Sequence, residues 1–187
     1  MKVLIIPEDP TLDRHILKPV VESIFQQIGK PARVDMLEDP HLTGVSHALN
    51  PGTIAGIVLD NPMEDLFLVI VDRDGDMSGH EEAAAQLTRN HPGKLITCLA
   101  HQEVEVWMVA LHRTKLDTGW SEVRAERDPK ERFVRPFLEK MGWSGLVGRG
   151  YKRAMRDLAG QWRGLLSVCP EIAELQAEIQ SWIAEHG

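Results

Sequence analysis

The chain has 187 residues, 43% of them hydrophobic and 26% charged, a composition that supports a buried core and does not suggest disorder. No apolar run approaches the roughly 20 residues that span a bilayer, and the short Val3–Ile6 run reads as a first strand, not a leader peptide. A net charge of -7 argues against nucleic-acid binding over the whole surface and leaves room for a local basic face.

Residues 2–6 form that first strand, and Pro7-Glu8-Asp9-Pro10-Thr11 follows as a loop. Ile16, Leu17, Val20, Val21, Ile24, Phe25 and Ile28 recur at helical spacing, Gly29 ends the run, and Pro19 implies a kink or a late start. Residues 32–37 give a weaker second strand. Residues 41–60 read as a loop and then a helix, with Asn50-Pro51-Gly52 as punctuation and Ile54, Ile57 and Val58 on one face.

The centre of the pattern is the run from Leu66 to Val71, six apolar residues that read as a strand buried on both faces. It ends in Asp72, Asp74 and Asp76, which extended backbone would point one way, just past the carboxyl end of the strand, where open α/β sheets keep their ligands. Crowded carboxylates repel unless a cation sits between them, and hard oxygen ligands suit Mg²⁺ or Mn²⁺. The same residues also suit a solvated acidic turn. A helix over about 79–89, a strand over 94–99 and a helix from Glu103 to Leu111 complete four strand–helix rounds. Such alternation predicts an α/β domain over 1–112, with a mainly parallel sheet flanked by helices.

Beyond residue 113 the pattern changes. Residues 114–136 are charged and poor in aliphatic residues, which suggests an irregular excursion. From Gly150 the chain reads as a helical C-terminal extension, so that 113–187 pack on the first domain. Ile172, Leu175, Ile179, Trp182 and Ile183 form an apolar stripe suited to core packing. Arg149, Lys152, Arg153, Arg156 and Arg163 face Asp157 alone, a local charge of +4 that either holds a phosphate backbone or is simply solvated. Cys98 and Cys169 lie in apolar settings without C-x-x-C spacing, as reduced core thiols of a cytoplasmic protein would.

Glu8 falls at the end of the first strand and Asp72 and Asp74 at the end of the third; if those strands are neighbours, the acids meet at one edge of the sheet. Glu105 interrupts an otherwise apolar segment after the fourth strand, where a carboxylate is expensive to bury unless it is paired or metal-bound. Pairing with an Arg or exposure at a helix start is the weaker alternative, since acids recur at three strand ends. His80, His101 and His112 read as hydrogen-bonded structural residues.

The order of these motifs resembles the Toprim fold of topoisomerases, primases and overcoming-lysogenization-defect nucleases. Glu8-Asp9-Pro10-Thr11 is similar to the Glu-Gly-x-Thr opening of Toprim-like families of uncharacterised bacterial proteins, and Glu105-Val106-Trp107-Met108-Val109-Ala110 to their Glu-Ala-Trp-Leu-Leu-Ala box. Gly148-Arg149-Gly150-Tyr151-Lys152 and Cys169-Pro170-Glu171 resemble their C-terminal helices. Asp9 stands where the family usually has Gly, and Leu12 where a second acid is common, which removes one potential ligand.

The resemblance implies a Mg²⁺- or Mn²⁺-dependent nuclease using two-metal chemistry. Asp72 and Asp74 would be ligands, Glu8 a ligand or general base, Glu105 a further ligand, and Asp76 and Glu103 reserves. Arg149, Lys152, Arg153 and Arg156 would hold nucleic acid, DNA first. The implied partners are an ATPase-type protein and a second copy of the chain, and the implied role is defence against foreign DNA. The alternative is a non-catalytic nucleic-acid-binding or regulatory subunit on the same fold. A haloacid-dehalogenase-type phosphotransferase fits less well, because its Asp-x-Asp lies on the first strand.

Overall fold

The four apolar runs pair side by side into one parallel sheet. The computed structural model describes residues 1–73, 77–144 and 148–187, with backbone alone for 77 and 78. Strands β1 (Lys2–Pro7), β2 (Arg33–Met36), β3 (Leu66–Asp72) and β4 (Leu95–Ala100) lie in the order β2-β1-β3-β4. Every pairing is parallel, with Val3 opposite both Val34 and Leu66, and Asp72 opposite Ala100. The chain leaves β1 toward one edge and returns to the other side of it, so β1 and β3 flank the point where strand order reverses. Open α/β sheets carry a crevice at such a point.

Strand alternation divides the core in two. Val3, Ile5, Leu66, Leu68 and Ile70 pack with helix α1 (Arg14–Ile28), while Leu4, Ile6, Phe67, Val69 and Val71 pack under α2 (Val45–Ala48), α3 (Pro51–Asp60) and α4 (Met77–Asn90). Helix α1 buries the stripe from Ile16 to Phe25 and ends at Gly29, whose φ of 75° is the left-handed C-cap conformation that glycine adopts freely. Pro19 lies within it and not at its start. Asn50 caps α3 by accepting from the Thr53 amide at 3.0 Å, with Pro51 in the first turn, as the punctuation implied.

Helix α5 (Glu105–Ala110) is buried along its whole length. The segment expected to be irregular instead forms a 3-10 turn (Arg113–Lys115), helix α6 (Trp120–Ala125), a π-helical turn (Lys130–Val134) and helix α7 (Arg135–Lys140). These pieces are too short to show a periodic apolar stripe. Their outer faces carry ion pairs, Arg132 with Glu122 and Glu126 and Arg135 with Glu131, while Val123, Val134, Phe137 and Leu138 turn inward. Helix α8 (Arg149–Ala154), a 3-10 turn (Met155–Asp157), α9 (Leu158–Leu166) and α10 (Pro170–His186) complete the chain. Ile172, Leu175, Ile179 and Ile183 are buried, and they share one cluster with Val3 and Ile5, so the C-terminal part is continuous with the core of the sheet. Among the described residues no helix is long and apolar enough to cross a membrane.

One polar cluster inside this core joins three helices. Arg124 of α6 donates to both carboxylate oxygens of Glu171 on α10, at 2.7 and 2.9 Å, and the Trp107 indole of α5 donates to the same carboxylate at 2.9 Å. Arg124 holds the Glu171 carboxyl below its ordinary pKa even though burial works against the charge. Glu171→Ala strands a buried guanidinium and an indole N–H, and should lower unfolding stability by about 3 kcal/mol in urea titrations. Glu122→Ala, at an exposed pair, should change it by less than about 0.5 kcal/mol.

Candidate acidic active site

The loop after β1 is shaped by its own acids. The Asp9 carboxylate accepts from the Thr11 amide at 2.7 Å, an Asx turn that reverses the chain where a glycine would otherwise serve. The Asp9 amide in turn donates to the Asp13 carboxylate at 3.1 Å. Asp13 immediately precedes α1, only 7% exposed, in phase with Ile16, Leu17 and Val20. Leu12, one residue earlier, packs against the core, so the inward-facing acid of this loop is Asp13.

Asp72 ends β3 on the α1 side of the sheet, as its register after Leu68 and Ile70 requires. Its carboxylate accepts from the Val104 amide at 2.8 Å, which ties the end of β3 to the turn after β4. That turn passes through Gln102 at φ 65°, a left-handed conformation uncommon for a residue with a Cβ, and its carbonyl accepts from the Arg73 amide at 3.0 Å. The turn delivers Glu105 into the interior at 1% exposure. One Glu105 oxygen pairs with the Lys130 ammonium at 2.6 Å and accepts from the Tyr151 hydroxyl at 3.1 Å. The other oxygen is buried with no hydrogen-bond partner among the described residues. Glu103 accepts from the Lys130 amide at 2.7 Å, so two acids of one turn hold the backbone and the side chain of the same lysine.

The electrostatics follow from this crowding. Burial, then the charges of Glu105 and Asp13 and more weakly Glu8, raise the Asp72 pKa well above the carboxylate range, against the Val104 hydrogen bond. Burial and then Glu105 push Asp13 up to about 8, and burial raises Glu103 to about 7. Burial works against the charge of Lys130, yet Glu105, with Glu103 and Asp13 behind it, keeps its pKa above the ordinary value. Burial and Glu105 push the Tyr151 phenol upward as well.

Of the four acids the sequence singles out, Glu105 and more weakly Glu8 each act on Asp72, across the ends of β1, β3 and β4. The Glu8 carboxylate also faces Gly44, where a Cβ would lie 3.8 Å from its oxygen. Asp74, the expected second ligand, and the reserve Asp76 lie outside the described residues. Among the described residues, no three His, Cys, Asp or Glu side chains are gathered closely enough to hold a metal ion. The histidines are tied to backbone: His80 to the Arg73 carbonyl at 3.1 Å, His101 to that of Arg124 at 2.7 Å and His112 to that of Ala154 at 2.8 Å. Arg73 pairs with Glu81 at 2.9 Å.

Three members of the site escape the sequence reading. Asp13 was findable, as an acid in register with an apolar helical stripe. Lys130 and Tyr151 carried no such signal, because a charged segment and a basic helix only become neighbours of Glu105 once the C-terminal part packs. The basic residues lie on the outer side of that helix. Arg149, Lys152, Arg153 and Arg156 are exposed and line a cavity of about 400 Å³ with Trp143, over whose ring the Arg153 guanidinium sits at 5.4 Å. Comparison of the chain with protein-family models, with curated proteins and with solved structures gives no match.

The raised acids set a pH dependence. Asp13 has a folded pKa of about 8 against an ordinary 3.8, so the folded state holds a proton that the unfolded chain releases. Stability should therefore fall as pH rises from about 4 to about 8, with Asp72 and Glu103 adding to the same slope. Thermal unfolding without divalent ions should show Asp13→Asn more stable than the parent at pH 8, with the difference shrinking toward pH 5. A parent whose stability climbs across this range would contradict the placement of Asp13.

Proposed function

We propose that this chain is a divalent-metal-dependent phosphodiesterase acting on nucleic acid, with its active site at the carboxyl ends of β1, β3 and β4. The observation that carries the reading is the buried pair Asp13 and Glu105 beside half-buried Asp72 at the β1–β3 switch point, where desolvation and the Glu105 charge raise the pKa of Asp13 and Asp72. A protein that needed only stability would gain by replacing such a cluster with apolar side chains. The Toprim resemblance supports the same reading, since Glu8, Asp72 and Glu105 follow the strands on which that family keeps its acids.

The donor set fits Mg²⁺ or Mn²⁺. All candidate ligands are hard carboxylate oxygens, one oxygen of Glu105 is buried without a partner among the described residues, and Asp72 and Asp13 are driven toward protonation when no cation offsets them. Glu8, Asp13, Asp72 and Glu105 would hold the ion only by drawing closer together, since no three of them are gathered tightly enough in the structure, with Asp74 following Asp72 in sequence. A bound divalent ion supplies charge neutralisation at the phosphate and a more acidic water. The chain's own residues do the positioning. Tyr151 orients Glu105 by its hydroxyl, the Val104 amide fixes Asp72, and Lys130 brings a positive charge to the rim where an anionic substrate arrives. DNA as substrate, an ATPase-type partner, a homodimer, a cytoplasmic location and a role in defence rest on the resemblance and composition alone.

A second reading is favoured by one observation: the Lys130 ammonium already sits on Glu105, as a permanent counter-ion would in a non-catalytic nucleic-acid-binding subunit. Incubation of the protein with plasmid and single-stranded DNA in Mg²⁺ or Mn²⁺ separates the two. The enzyme reading expects cleavage that EDTA abolishes and that Asp72→Ala and Glu105→Gln each reduce by at least about 100-fold. Absence of cleavage in either metal favours the binding subunit.

Lys130→Ala gives an independent readout. It leaves Glu105 buried without its cation and should lower the thermal unfolding temperature. If Glu105 is a metal ligand, Mn²⁺ restores part of that loss; if Lys130 is the permanent counter-ion, Mn²⁺ does not.

A further inference from the structure

Helix α8 and the turn after it place Arg149, Lys152, Arg153 and Arg156 at i, i+3, i+4 and i+7, one stripe about 10 Å long on the side opposite Tyr151. Among the described residues none of the four makes an ion pair, whereas Arg124, Lys130, Arg132, Arg135 and Lys140 each do. Four neighbouring cations without acid partners, on a chain of net charge -7, form a local field suited to a polyanion.

These cations are not spread over a flat surface. They line the cavity of about 400 Å³ whose other wall is Trp143, a size within the range of small-ligand sites. The Trp143 ring is half-buried and held by edge-on contacts with Phe137 at 5.8 Å and His112 at 5.4 Å. Gly150 sets the spacing, because a Cβ there would collide with the Trp143 carbonyl oxygen. At this same N-terminal end the helix abuts the acidic site: Gly148 packs against the ring of His15 in the first turn of α1. A second hollow of about 550 Å³, lined by Thr11, Arg14, His15 and His41, lies along the loop that carries Asp9 and Asp13.

A duplex offers phosphates on a convex ridge with its bases stacked inside, so it would touch the stripe and leave the cavity and Trp143 unused. A single strand supplies both phosphates and an unstacked base. We propose that the hollow between Trp143 and the α8 cations binds single-stranded nucleic acid, with one base against Trp143 and successive phosphates along Arg149, Lys152, Arg153 and Arg156. The ligand class rests on the nuclease reading, and the strand preference rests on the cavity.

Fluorescence anisotropy in EDTA tests it, using a labelled oligothymidine of roughly 15 nucleotides, a blunt duplex of the same length and free thymidine monophosphate as competitor. The single strand should bind at least about tenfold more tightly than the duplex. Trp143→Ala should weaken single-strand binding about tenfold or more while Trp143→Phe keeps most of it, as expected for a stacked base. Arg149→Ala with Arg156→Ala, two exposed changes that spare the fold, should lower the slope of log affinity against log salt by about 1.4.

Equal or tighter duplex binding, indifference to both the Trp143 and arginine changes, or competition by the mononucleotide as effective as by the oligomer overturns the proposal. Asp72→Ala separates this inference from the enzymatic reading. A protein that binds single strands in EDTA but cleaves nothing in metal keeps the inference and loses the nuclease. One that cleaves duplex unchanged in Trp143→Ala and the arginine pair does the reverse.

Discussion

The structure turns on burying several carboxylates at the point where strand order reverses. Asp72 can occupy that point because β3 is central and its even-numbered residues face α1; Glu105 can because the turn through Gln102 carries it inward after β4. Removing a carboxylate from water is tolerated only with opposite charge and hydrogen bonds around it. The fold supplies these piecemeal, with an amide from Val104, an ammonium from Lys130 and a hydroxyl from Tyr151. The supply falls short, since Asp13 and Asp72 are still pushed toward protonation. Residual charge stress of this kind, in an otherwise well-packed α/β core, is a feature that stability alone does not explain.

That dependence explains why the C-terminal part is not a detachable appendage. The sheet with α1 and α5 makes an acidic crevice but leaves Glu105 without a partner cation. Lys130 and Tyr151 come from segments that Val134, Phe137, Leu138 and Leu158 anchor in the core over the sheet. The Arg124–Glu171–Trp107 cluster fixes α6 and α10 against the far side of α5, so the helix bearing Glu105 is held on two faces by polar contacts. The π-helical turn that begins at Lys130 gives that residue two anchors, its amide on Glu103 and its ammonium on Glu105.

The strands were legible because a buried parallel strand is written as an uninterrupted apolar run, and each ends close to where that run stops. Glu8, Asp72 and Glu105 were legible as acids at strand ends, a local property. Asp13 obeyed a readable rule, since a charged residue in phase with Ile16, Leu17 and Val20 must face inward. Lys130 and Tyr151 obeyed none. Their place depends on contacts across 25 and 46 positions of chain, and neither helical periodicity nor turn chemistry encodes such distances. The short helices between Trp120 and Lys140 failed for a related reason: six residues give fewer than two turns, too few to show a stripe.

Helix α8 joins the two halves of the problem. Its inner face carries Tyr151 against Glu105 and its outer face carries the cations beside Trp143, so a six-residue segment touches both the acidic centre and the basic hollow. Two glycines make this proximity steric. Gly148, at φ 75°, lets the His15 ring lie against the chain where a side chain would stand, and Gly150 lets the Trp143 carbonyl do the same. Opposite charges are thereby kept on opposite faces of one helix, close together but not neutralising each other.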